Sequence, residues 1–237
     1  WDVPFNPVRP LPPVGGLPRL HGIEPDEVDV SLPLGERVGH SLVLGTTRVG
    51  KTRLAELFIT QDIRRKVNGQ HEVVIVFDPN VRLSLIKDLS VYRQRVQRWL
   101  KSTDLLKLSD EDVETLVPGA SLDEAGAKLL ESGPKAVVIT RGGEGAVLYR
   151  KGHAPMPIVA PKIKVADTIG AGDTFTAGLS VALLNQGVVE AAQLGSLTDA
   201  AWFDVLRFAA TAAALNCTRE GANPPTLDEV LAVLKGA

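Results

Sequence analysis

Asp167-Thr168-Ile169-Gly170-Ala171-Gly172-Asp173 decides how this chain is read. It is a glycine turn that runs into apolar residues at helical spacing, and the pattern predicts a helix over 173–186. A helix entered this way presents unpaired backbone N–H groups and the positive end of its dipole, so the segment Gly170, Ala171 and Gly172 is suited to an anion such as a phosphoryl group. Asp173 stands at the same end. It can accept a proton during attack on phosphorus, or it can be a plain first-turn acid favoured by the dipole.

Outward from this turn the chain alternates helix and strand. Helices are predicted over 90–101, 110–116, 122–132, 199–217 and 227–235, and strands over 72–77, 104–108, 135–140, 145–150 and 156–159. Glu72-Val73-Val74-Ile75-Val76-Phe77 is a continuous β-branched run of the kind a buried parallel strand requires. Ser121 with Glu124, and Thr226 with Glu229, form capping boxes at two helix starts. The expected fold is α/β, a three-layer α/β/α arrangement around a mainly parallel sheet.

Composition narrows the function classes. With 237 residues, 44% hydrophobic and 23% charged, the chain has the usage of a folded globular protein. A net charge of −2 argues against a dedicated nucleic-acid surface. Arg64-Arg65-Lys66 closes a predicted helix, where cations suit the dipole. One cysteine, Cys217, excludes an internal disulfide and a four-cysteine zinc site, and suits a cytoplasmic location. No apolar run is long enough to span a membrane, so no membrane partner is expected.

Residues 1–37 carry eight prolines, Pro4, Pro7, Pro10, Pro12, Pro13, Pro18, Pro25 and Pro33, and are expected to form an irregular arm. A strand over 41–45 then leads through Gly45-Thr46-Thr47-Arg48-Val49-Gly50-Lys51-Thr52 into a helix from 51 to 66. That octet fits the P-loop pattern, in which Gly45 and Gly50 bring backbone N–H groups onto phosphates, Lys51 reaches the terminal phosphates and Thr52 ligands Mg²⁺. A βα turn without ligand is the alternative. A strand-helix-strand unit over 38–76, with strand 41–45 parallel to strand 73–77, is expected to join the sheet.

From Phe77 onward the chain resembles the C-terminal half of the PfkB (ribokinase-like) sugar kinases, most closely fructokinase-type members. The resemblance rests on five stretches in order: Phe77-Asp78-Pro79-Asn80-Val81-Arg82, Lys107-Leu108-Ser109-Asp110-Glu111-Asp112, Val138-Ile139-Thr140-Arg141-Gly142-Gly143-Glu144-Gly145, the Asp167–Asp173 turn with Thr174-Phe175, and Ala214-Leu215-Asn216-Cys217-Thr218-Arg219-Glu220-Gly221-Ala222. It implies an ATP-dependent kinase that phosphorylates a sugar hydroxyl. Asp173 would be the base and the 170–172 backbone the anion hole. Lys107, Ser109, Thr140, Gly142, Gly145, Asn216 and Gly221 would lie on the nucleotide side. Asp112 would serve Mg²⁺, and Asp167 and Thr168 a monovalent cation such as K⁺. Ser109 and Asp112 replace the family's usual Asn and Glu and also read as a helix cap. Thr140 to Gly145 also reads as a hairpin turn, and the alanine-rich stretch before Asn216 as core packing.

Residues 9–76, with Arg9-Pro10-Leu11-Pro12-Pro13-Val14-Gly15-Gly16 and the stretch from His40 to Leu54, resemble TraD-type conjugative coupling ATPases. Together the two resemblances imply a join near 76–79. They also imply an incomplete kinase with impaired turnover, because the paired glycines and carboxylate that grip the sugar do not appear before Phe77. The other expectations are a P-loop ATPase of the DNA-transfer type and an inactive nucleotide-binding fusion product. The sugar and the oligomeric state are not specified by these residues.

Overall fold

The computed structural model describes residues 74–236. They contain five strands, β1 (Val76–Phe77), β2 (Leu105–Ser109), β3 (Ala136–Thr140), β4 (Ala146–Arg150) and β5 (Met156–Ile158), joined in one sheet in that order. Their helices are α1 (Leu89–Leu100), α2 (Asp110–Leu116), α3 (Leu122–Glu131), α4 (Ala171–Asn185), α5 (Ala191–Ser196), α6 (Asp199–Cys217) and α7 (Leu227–Lys235). The strand 41–45, the P-loop octet, the helix 51–66 and the proline-rich arm lie outside the described residues.

The expected α/β class is found, and the sheet is mixed. β1, β2 and β3 run parallel through helical crossovers, whereas β4 and β5 return antiparallel. The reversal comes from the short connection between β3 and β4. Gly142 and Gly145 take φ of 50° and 97°, the Arg141 N–H donates to the Gly145 carbonyl at 2.7 Å, and a tight hairpin results. A Cβ on Gly145 would lie 1.9 Å from the Ile158 carbonyl oxygen, so glycine is required there.

Strand alternation divides the core into two layers. Leu105, Val138, Ala146, Leu148 and Ile158 face α4 and α6, where they meet Phe175, Leu179, Trp202, Leu206 and Ala209. Leu106, Leu108, Val137, Ile139 and Tyr149 face the other way, onto Val96 and Leu100 of α1, Val113 of α2 and Leu129 of α3. Each fully buried leucine of β2 contributes roughly 1.5–3 kcal/mol. Lys107 breaks the apolar pattern on the α4 side.

Both predicted capping boxes are present, at Ser121/Glu124 and Thr226/Glu229. The six-residue α5 was not expected; it is capped by Glu190 and Gln193 instead of a Ser or Thr. Helix α4 begins two residues before its predicted start, because Gly170 at φ 76° is its N-cap. Gly172 and Asp173 therefore belong to the first helical turn. On its inner side α4 meets α6 closely, and a Cβ on Gly178 would be 3.1 Å from the Cα of Ala209. The alanine-rich stretch of α6 thus packs as core against α4.

Candidate active site

The turn before α4 is held from three directions. The Ala166 N–H donates to the Cys217 carbonyl at 2.8 Å, tying the turn to the end of α6. Asp167 accepts from Ile169 N–H at 3.0 Å with Oδ1 and from Gly221 N–H at 2.9 Å with Oδ2. These two amide bonds, Ile169 first, hold the Asp167 carboxyl below its ordinary value. Asn216, fully buried, donates from Nδ2 to the Ile169 carbonyl at 2.8 Å and accepts from Asn223 N–H at 3.0 Å. Asp167, Asn216 and Gly221, separated in sequence, thus share one network beneath the turn.

Above that network the turn is open. Gly170 takes a left-handed conformation, and a Cβ there would lie 2.9 Å from the Cβ of Ala222, so a larger residue is excluded. The Ala171 N–H bonds the Thr168 carbonyl at 3.2 Å. The Gly172 and Asp173 amides, in the first turn, have no carbonyl one turn back to bond. Both residues are exposed. An anion placed there meets free N–H groups and the positive helix end, with a carboxylate alongside.

Ser109 and Asp112 form a capping box at the start of α2. Asp112 is buried; its Oδ2 accepts from Ser109 N–H at 3.0 Å and its Oδ1 from Val81 N–H at 2.8 Å. The carboxylate therefore pins the 78–82 turn to the end of β2. With both oxygens holding amides, Asp112 fits a cation reached through water better than one it ligates directly. Among the described residues, no group of three or more His, Cys, Asp or Glu side chains is assembled for a metal. A Mg²⁺ ion here would be held chiefly by nucleotide phosphates.

Thr140 closes β3 and donates to the Leu108 carbonyl at 3.3 Å; Gly142 and Gly145 shape the adjoining hairpin. The segment thus forms a strand end followed by the hairpin turn that the sequence also allowed. Lys107 is buried with its Nζ 2.9 Å from Oδ2 of Asp78, and Thr176 donates to the same oxygen at 3.0 Å. Sequence reading passed over Asp78 and Thr176 as site residues. Their separation in the chain conceals the contact, and only Asp78 stood in a quoted stretch. Gly45, Gly50, Lys51 and Thr52 lie outside the described residues.

Comparison with known proteins bears directly on the upstream segment. A fructokinase from Rhizobium leguminosarum bv. trifolii is 38% identical over 128 residues, covering 54% of this chain and 39% of the relative. Fructokinase-2 of Solanum habrochaites is 27% identical over 222 residues, covering 90% of this chain and 62% of the relative. The chain thus spans less than two thirds of the length of each of these relatives. Among solved structures, fructokinase with bound ATP from Xylella fastidiosa superposes with a TM-score of 0.67 at 26% identity, covering 75% of this chain and 56% of that one.

An alignment over 90% of the chain extends far upstream of Phe77. The family model for pfkB family carbohydrate kinases likewise begins before the supposed join, matching residues 64–229. These matches overturn the assignment of residues 9–76 to a coupling ATPase, and with it the join near 76–79. The P-loop octet is too short a pattern to outweigh similarity that runs through the whole region. No helix among the described residues is long and apolar enough to cross a membrane. With one family's similarity running on both sides of Phe77 and the open glycine turn in place before α4, the chain belongs to the pfkB family of carbohydrate kinases.

Proposed function

We propose that this chain carries the phosphoryl-transfer apparatus of an ATP-dependent, fructokinase-like carbohydrate kinase. The observation that carries the reading is the exposed first turn of α4, with Gly170 in its left-handed N-cap and Asp173 beside unpaired amides. Two fructokinases among the relatives and an ATP-bound fructokinase of the same fold support it. Fructose is the first acceptor to test.

In this mechanism the sugar hydroxyl attacks the γ-phosphorus in line with the departing ADP oxygen. A sugar O–P bond forms, the bond to ADP breaks, and the hydroxyl proton passes to the Asp173 carboxylate. The unpaired amides of the first turn of α4, at Gly172 and Asp173, receive the equatorial oxygens as their charge develops. Thr140, Gly142 and Gly145 line the nucleotide side from β3, while Asn216 and Gly221 hold the wall behind the turn. Mg²⁺, when bound with the nucleotide, would neutralise phosphate charge, and Asp112 would be the residue to hold it through water. Asp167 and Thr168 are the candidates for K⁺.

Asp173→Asn keeps size and removes the base. Sugar phosphorylation with ATP and fructose should fall at least about 10²-fold, with the ATP dissociation constant changed by less than about twofold. Unchanged turnover in the variant would exclude this mechanism.

A further inference from the structure

Lys107 sits mid-strand in β2 on the face that packs against α4, and is 4% exposed. A buried ammonium is costly unless paired. Its partner Asp78 follows β1 directly, and the carboxylate oxygen that meets Lys107 Nζ also accepts from Thr176 Oγ1. Thr176 Oγ1 lies within 3.0 Å of the Gly172 carbonyl as well, so its one proton is shared between the two acceptors. A methyl on Gly172 would be 3.2 Å from Lys107 Nζ. The ammonium therefore backs directly onto the turn whose outer side is open.

Two positive elements meet there, the end of the α4 dipole and the Lys107 cation. The partly buried Asp78 carboxylate offsets the cation, and its second oxygen, Asp78 Oδ1, is buried without a hydrogen-bond partner. Replacing a buried ion pair by neutral groups is often neutral or stabilising, so fold stability alone gives no reason for a cation at this position. An anion on the outer side of the turn gives one. It would feel both positive elements, with only the turn itself between it and the buried ammonium.

We propose that Lys107, clamped by Asp78 and Thr176, is a positioning residue for the transferred phosphoryl group, fixing and charging the 170–172 turn from behind. The proposal rests on the kinase reading above and adds to it a specific preference for the γ-phosphate. Lys107→Met combined with Asp78→Asn removes both charges together and avoids an unpaired buried ion. Binding of ADP and of the β,γ-imido analogue of ATP, each with Mg²⁺, is measured by calorimetry alongside thermal melting.

The expected result is a melting temperature near that of the parent, ADP affinity within about twofold, and a loss of about tenfold or more for the imido analogue. A purely structural role would weaken both nucleotides alike, and that outcome overturns the proposal. So does a double variant that binds both nucleotides as the parent does, with the kinase reading left standing. A parent protein that binds neither nucleotide overturns both. If the double variant does not fold, Thr176→Val removes only the bridging hydroxyl. It should then lose about threefold for the analogue with ADP unchanged, and equal binding of the analogue would refute the clamp.

Discussion

Asn216 donates from its side-chain amide to the carbonyl of Ile169 at 2.8 Å, so the last full turn of α6 holds the entry to α4 from beneath. Its Oδ1 takes the Asn223 N–H at the same time. One buried side chain thus sets the spacing between the glycine turn before α4 and the loop after α6.

Asn216→Ala strips a donor from the Ile169 carbonyl and an acceptor from the Asn223 amide. Leaving such groups unsatisfied costs about 1–3 kcal/mol each when they stay dry. Thermal denaturation should show a drop of several degrees. ATP affinity should fall more than for a core change of similar cost, because the turn itself shifts. A variant that melts lower yet binds ATP like the parent would separate Asn216 from the site.

Acid should loosen the same region. Backbone amides at Ile169 and Gly221 depress the Asp167 carboxyl, Ser121 depresses Glu124, Thr226 and then Arg219 depress Glu229, and the Arg150 guanidinium depresses Asp199. A carboxylate depressed in the folded state stabilises the fold above its unfolded value, about 4, and that stability is lost as pH falls through the folded value. The melting temperature should hold between about pH 7 and 5 and fall steeply below about pH 4. Ser121→Ala with Thr226→Ala should start lower and fall less steeply. A melting curve unchanged down to pH 3 would contradict the assignment.

The parts of the fold that were legible in sequence are those fixed by neighbours. Leu105 to Ser109 and Ala136 to Thr140 announce strands by their apolar runs, and Ser121/Glu124 and Thr226/Glu229 mark helix starts because a cap reads only three residues ahead. α5 escaped because it is short and capped by Glu190, a residue type that seldom signals a start. Asp167, Asn216 and Gly221 were each singled out, yet their shared network depends on how α6 returns to the turn. The Lys107–Asp78–Thr176 contact was illegible for a similar reason, since its members come from the end of β1, from β2 and from α4. The P-loop octet misled in the opposite sense. A local pattern of glycines and a lysine carries no information about the segment around it, and a fructokinase-2 alignment over 90% of the chain does.

Gly126, in the middle of α3, offers a test of how tightly the outer layer is packed. Glycine there lowers helix propensity by about 1 kcal/mol relative to alanine, so on local grounds Gly126→Ala should stabilise. The tertiary contact argues otherwise. A Cβ at Gly126 would lie 2.6 Å from the Tyr149 ring, which is nearly buried and anchored at its far end by a 2.9 Å bond from its hydroxyl to Asp123. Burial, then that bond, drives the Tyr149 hydroxyl well above its ordinary value, so it stays a donor through the neutral range. The ring cannot retreat without breaking the bond or leaving β4. Overpacking of this kind costs about 1–3 kcal/mol, which exceeds the propensity gain. Gly126→Ala should therefore lower the melting temperature, and Tyr149→Leu in the same chain should recover part of the loss. An alanine variant that melts higher than the parent would mean that the α3–β4 contact is looser than its geometry indicates.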